Sequence, residues 1–175
     1  MNAQLARARD LTRYTQDFPK PGILFRDVTP VLADGAALQA VTADIVDNAP
    51  AFDVVAGVEA RGFLIAGAVA AATKTGALAV RKAGKLPVPS ASASYELEYG
   101  TATIEVQQDI PPGSRVLIVD DALATGGTAL AAAQVLRAIG AEVVGLSVLH
   151  EISGLNGRAA LGELPLHVVF PNSET

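Results

Sequence analysis

The stretch VLIVDDALATGGT, Val116–Thr128, decides the fold. Its run Val-Leu-Ile-Val predicts a strand buried on both faces, closed by two carboxylates. ALATGGT then leads into a helix read from Ala129 to Ile139 and ended by Gly140. Backbone N–H groups at such a helix start suit a phosphate dianion, with Gly126 and Gly127 between the hydroxyls of Thr125 and Thr128. No Gly-Lys-Ser/Thr follows and the G-x-G-x-x-G spacing is missing, so this is neither a Walker loop nor a dinucleotide fingerprint. Asp120 and Asp121 suit acceptors for a cis diol, the 2- and 3-hydroxyls of a ribose whose 5-phosphate lies in the loop. A helix cap beside two solvated acids fits these residues alone equally well.

Working outward, AEVVGLSVLH (141–150) reads as a buried strand, GLNGRAAL (154–161) as a short helix and LPLHVVF (164–170) as a last strand. On the other side, PPG at 111–113 turns the chain into the decisive strand. Before it, SYELEY and TATIEVQQ alternate on either side of Gly100 as an antiparallel hairpin, reached through a flexible loop over 82–94. The strand ending at Gly57, the Ala-rich helix Phe63–Lys74 and ALAVRK (77–82) form a βαβ unit. Asp34 caps a helix predicted over Gly35–Asn48, with Leu38, Val41, Ile45 and Val46 on one face. Ala3 to about Tyr14 is loosely helical, and the proline-studded DFPKPGILFRD (17–27) reads as a loop. The expected fold class is α/β, a mostly parallel twisted sheet flanked by helices. Ligands of such sheets sit at the carboxyl ends of strands, which here means Glu59–Gly62, Lys82–Lys85 and Asp120–Thr128.

Composition narrows the function. At 175 residues the chain fits one domain, and half of it is hydrophobic, with 16 Gly, 10 Pro and 18% charged residues, which excludes disorder. The absence of cysteine excludes a disulfide framework, a thiolate metal site and a cysteine nucleophile, and fits a cytoplasmic address. A net charge of −5 argues against a protein that binds nucleic acid by neutralising phosphates. The longest apolar run, Phe63–Ala72, is far short of a membrane span, and MNAQLARARD lacks the apolar centre of a signal peptide.

The 116–128 string resembles the phosphoribosyl pyrophosphate signature of the type I phosphoribosyltransferases. FPKPGILFRDVTPVL (18–32), VEARGF (58–63), VRKAGKLP (80–87) and SYELEYG (94–100) are similar, in that order and at similar spacing, to segments of the adenine phosphoribosyltransferase family. The resemblance covers nearly the whole chain. It implies a purine salvage enzyme that transfers the 5-phosphoribosyl group to adenine, giving AMP and pyrophosphate. It also implies Mg²⁺, a homodimer, and a single domain, 1–175, with a small hood over about 1–34 and a core over about 35–175.

Residue by residue, the resemblance places the ribose on Asp120 and Asp121 and the 5-phosphate on Thr125, Gly126, Gly127 and Thr128. Ala124 stands where the hypoxanthine-guanine enzymes carry an aspartate acting on the purine N7, so the acid has to come from elsewhere. The matching glutamate is Glu98, with Tyr99 beside it, although from spacing alone Glu98 is an exposed strand carboxylate. Pyrophosphate falls at Glu59, Ala60 and Arg61, around a cis peptide between Glu59 and Ala60, with Lys82 contributing charge. A surface ion pair of Arg61 with Glu59, and a solvated cluster of Arg81, Lys82 and Lys85, are the plainer readings. Leu24, Phe25 and Arg26 resemble the base-binding hood, where an aromatic ring stacks on adenine and main-chain groups read its edge; Phe25 as ordinary core is the alternative. His150 and His167 read as satisfied core histidines. Val88-Pro89 stands where the family usually has Gly after Pro87, and Ala122 where Leu is common. A regulator keeping the fold as an effector module need not retain Glu98, Arg61 and Lys82 together, and all three are present. A phosphoribosyltransferase for another base is the second alternative.

Overall fold

The computed structural model describes residues 2–18, 20–97 and 100–171. In chain order the elements are α1 (Ala3–Asp10), β1 (Arg13–Gln16), β2 (Leu24–Asp27), α2 (Thr29–Ala33), α3 (Gly35–Asn48), β3 (Val54–Val58), α4 (Arg61–Thr73) and β4 (Gly76–Lys82). They continue with β5 (Ala91–Leu97), β6 (Gly100–Val106), β7 (Arg115–Leu123), α5 (Gly127–Ala138), β8 (Glu142–Glu151), α6 (Gly157–Ala160) and β9 (Leu166–Phe170).

Among the described residues, seven strands form one sheet in the order β5-β6-β4-β3-β7-β8-β9. From β4 to β9 the pairing is parallel. The β5–β6 hairpin joins antiparallel at the β4 edge, through Arg81 and Lys82. One face is covered by α3 and α4, with α1 on α3, and buries Val41, Ile45, Val69, Leu149 and Phe170. The other is covered by α5, whose Ala132 and Leu136 pack in one core with Ile104 and Ile118 of the sheet. Chain order reverses between β3 and β7: α4 connects β3 to its neighbour on one side, and α5 connects β7 to its neighbour on the other. That reversal opens a crevice at the carboxyl ends of β3 and β7, the favoured ligand position in such sheets. Backbone packing there is tight, because a Cβ on Gly57 would lie 2.5 Å from the Gly62 carbonyl oxygen and one on Gly62 2.8 Å from that of Val119.

The amino-terminal region departs from the sequence reading. The first helix stops at Asp10 instead of Tyr14, and Arg13–Gln16 pairs antiparallel with Leu24–Asp27, inside the segment expected to be a loop. A turn closed by the Gly22 N–H donating to Asp17 Oδ1 at 2.7 Å lets two short strands satisfy each other's backbones, which proline-rich composition conceals. Burial of Leu5, Ala8 and Val31 with the α3–α4 core makes α1 and α2 core layers, so the part standing apart is the β1–β2 ribbon. The aspartate pair lies within β7, which runs on to Leu123, and β5 begins at Ala91, shortening the loop expected to reach Ser94.

Candidate active site

The loop after β7 leaves the strand at Leu123 and enters α5 through Gly126, whose φ of +90° favours glycine. Its far side is packed on α6. A Cβ on Gly157 would strike the Ala124 carbonyl oxygen, and one on Gly126 would lie 3.1 Å from the Gly157 carbonyl oxygen. Asp120, Ala124, Thr125, Gly126, Gly127 and Thr128 line one pocket, floored by Val58 and Ile118. The loop expected from sequence to cradle an anion therefore lines a concavity together with the first residues of α5. Sequence reading missed the support from Gly157; Asn156-Gly157 in GLNGRAAL was its only signal.

Asp120 folds back to accept the Asp121 N–H at 2.9 Å, and burial followed by the adjacent Asp121 charge pushes its carboxyl well above the usual range. Asp121 is not in the pocket lining; its Oδ2 accepts from Arg61 Nε at 2.6 Å. Arg61 opens α4 directly after the Glu59–Ala60 peptide bond, which is cis as expected. The alternative reading of Arg61, an ion pair with Glu59, is absent from the described contacts. Glu59 instead accepts the Lys82 backbone N–H at 3.0 Å and faces Arg81 Nε at 3.4 Å, and the Lys82 N–H above all holds its carboxyl below the usual range. Arg81 also donates to the Lys85 carbonyl and lies 5.9 Å from the Phe63 ring centroid, so the root of the 83–90 loop is fastened to the β3–α4 turn. The Lys82 and Lys85 side chains are exposed.

On the ribbon, Leu24 is exposed and Phe25 half-buried, its ring edge-on to Phe18 at 5.1 Å and 5.8 Å beneath the Arg61 guanidinium. Phe25 is thus not ordinary core. Arg26 Nη1 donates to the Glu151 carbonyl at 2.6 Å, tying the ribbon to the end of β8. Behind it, buried His150 meets Thr12 Oγ1 at 3.2 Å and the Phe170 ring at 5.2 Å, and desolvation pushes its imidazole down to about 4. His167 Nε2 lies 2.7 Å from Asp44 Oδ2, so both histidines have structural partners. Glu98 and Tyr99 lie outside the described residues. The 124–128 loop and Asp120 thus share one pocket, and Arg61 joins the adjacent Asp121 to the Phe25 ring beside it.

Residues 31–162 match the phosphoribosyl transferase domain. Adenine phosphoribosyltransferase of Mycobacterium avium (strain 104) is 52% identical over 159 residues, covering 90% of this chain and 88% of that protein. The chain belongs to the adenine phosphoribosyltransferase family. Among solved structures, adenine phosphoribosyltransferase from Thermoanaerobacter pseudethanolicus aligns with a TM-score of 0.89 at 40% identity, covering 96% of this chain and 99% of that one. The Saccharomyces cerevisiae enzyme, complexed with an imino-altritol bisphosphate and adenine, aligns with a TM-score of 0.89 at 33% identity, covering 97% and 100%. This agrees with the family and fold class expected from the motifs.

Proposed function

We propose that this chain transfers the 5-phosphoribosyl group of phosphoribosyl pyrophosphate to adenine, giving AMP and pyrophosphate. The observation that carries the reading is the pocket that the 124–128 loop shares with Asp120, flanked by Arg61, which bonds the adjacent Asp121 and lies over Phe25. Thr125–Thr128 hold the 5-phosphate through backbone N–H groups and hydroxyls, and Asp120 accepts from the ribose. Arg61 and Lys82 take the pyrophosphate, with Glu59 and Ala60 shaping the turn beneath it. Phe25 stacks on the base while the backbone of Leu24–Arg26 reads its edge, and Ala124 leaves the N7 side without an aspartate. In this reading Glu98, with Tyr99 beside it, manages the N7 proton.

Displacement at the anomeric carbon passes through an oxocarbenium-like state, so the main task of these side chains is to stabilise charge on the departing pyrophosphate. Asp120 offers carboxylate oxygens at the border of the phosphate pocket. That donor set fits Mg²⁺ carried on substrate oxygens, where it would neutralise leaving-group charge. Closure of the 83–90 loop over the crevice would exclude water from the cation.

A homodimer is part of the proposal, supported by Leu64, 62% exposed on α4, and by the groove of Leu38, Val46, Ala68 and Ala72 between α3 and α4. Among the described residues no helix is long and apolar enough to cross a membrane. Substrates this highly charged do not cross membranes, which supports a cytoplasmic address. The deciding experiment offers adenine, hypoxanthine, guanine and orotate separately with phosphoribosyl pyrophosphate: AMP from adenine is expected, and its absence overturns the reading. Sedimentation velocity tests the dimer.

A further inference from the structure

Successive side chains of a strand leave it on opposite faces, and the Asp120-Asp121 pair is split accordingly. Asp120 enters the phosphate-loop pocket, while Asp121, 8% exposed, holds Arg61 through a bond from Nε at 2.6 Å. That bond occupies one edge of the guanidinium. Its two terminal nitrogens make no hydrogen bond among the described residues, and the side chain is 40% exposed. A planar fork gripped at one edge by a buried carboxylate has the direction of its remaining donors set. Placed at the start of α4 and over the Phe25 ring, the guanidinium stands between the β1–β2 ribbon and the strand that carries the aspartate pair.

We infer that Asp121 is a positioning residue that aims Arg61 at the pyrophosphate, and that Asp120 alone of the pair accepts from the ribose. This rests on the reading that the crevice takes phosphoribosyl pyrophosphate. Its consequence is a division of labour between two adjacent carboxylates. Loss of the Asp121 charge frees the Arg61 side chain to rotate away from the leaving group, leaving the sugar contacts intact.

The test titrates magnesium pyrophosphate and, separately, ribose 5-phosphate into the full-length wild type, Asp120→Asn, Asp121→Asn, Arg61→Gln and the Arg61→Gln/Asp121→Asn double variant. Asp121→Asn should weaken pyrophosphate about tenfold, the scale of one charge-assisted hydrogen bond, and change ribose 5-phosphate by less than about twofold. Asp120→Asn should do the reverse. The double variant should bind pyrophosphate no more weakly than Arg61→Gln, because both changes remove one interaction. Equal weakening of the two probes by Asp121→Asn, or additive losses, overturns the assignment.

Should that variant not fold, the Arg61 Nε–H resonance of the wild-type protein decides: it should persist when ribose 5-phosphate is added, and its loss would show Asp121 turning to the sugar. A wild type that binds both probes yet forms no AMP removes the proposed reaction and keeps the role of Asp121. Equal weakening removes the role and keeps the reaction.

Discussion

The two sides of the crevice, the one proposed for phosphate and the one proposed for the base, are built by different means. The 124–128 loop is held by backbone against backbone, with Gly157 pressed on the Ala124 carbonyl and Gly126 on that of Gly157. The β1–β2 ribbon is held by side chains reaching across: Arg26 to the Glu151 carbonyl, Thr12 to His150, and Phe25 beneath Arg61. Backbone packing leaves no room for an added carbon at Gly157 and little at Gly126, which would hold a proposed phosphate site in one shape. Side-chain tethers join the ribbon to the core at a few points, which would suit admission and release of a flat base in the proposed reaction.

The base side carries the largest expected effect. A 6-amino purine offers a donor at position 6 and an acceptor at N1, and a 6-oxo purine the reverse. A backbone site set for one leaves buried groups unpaired against the other, so kcat/KM for adenine should exceed that for hypoxanthine by about 10⁴. Ala124→Asp alone should not invert the preference, since the reading groups are main chain. Comparable values for both bases in the wild type would break the assignment of the ribbon.

On the phosphate side, Gly157→Ala should displace Ala124 and lower kcat/KM for phosphoribosyl pyrophosphate by about 10². The corresponding cut on the base side, Arg26→Gln, should raise KM for adenine about fivefold and leave pyrophosphate binding unchanged, the scale of one lost charge-assisted bond. A larger effect from Arg26→Gln than from Gly157→Ala would reverse the comparison.

His150 sharpens it in stability. Its native imidazole titrates at about 4, below its ordinary 6.5, so the unfolded chain binds more protons between those values. Stability is therefore retained above pH 6.5 and falls as pH drops toward 4, by at most about 3 kcal/mol at about 1.4 kcal/mol per unit. Urea unfolding at pH 7 and 4.5 should show a shallower decline in His150→Gln than in wild type. The smallest effect is expected from Ser147→Ala. That buried hydroxyl has no partner among the described residues, so its removal should change stability by less than about 1 kcal/mol, in the stabilising direction, in the same assay.

By itself the sequence determined the α/β class, the parallel core strands and the Val116–Thr128 loop, because these follow from local pattern: apolar runs, glycines and caps within about ten residues. Helix Gly35–Asn48 matches its predicted span for the same reason, with Asp34 accepting the Ala37 N–H at 2.9 Å. The β1–β2 ribbon was hidden because its pairing is satisfied across a proline-rich turn that periodicity does not register. Only the tertiary structure decided which charge meets which. Arg61 lies two residues from Glu59 and sixty from Asp121, yet it bonds the latter, because α4 begins over the β3–β7 crevice and directs its first side chain to the neighbouring strand. Ion pairs and close approaches such as Gly157 on Ala124 depend on where strands are placed side by side, and strand order is set by burial of both sheet faces at once rather than by any single segment.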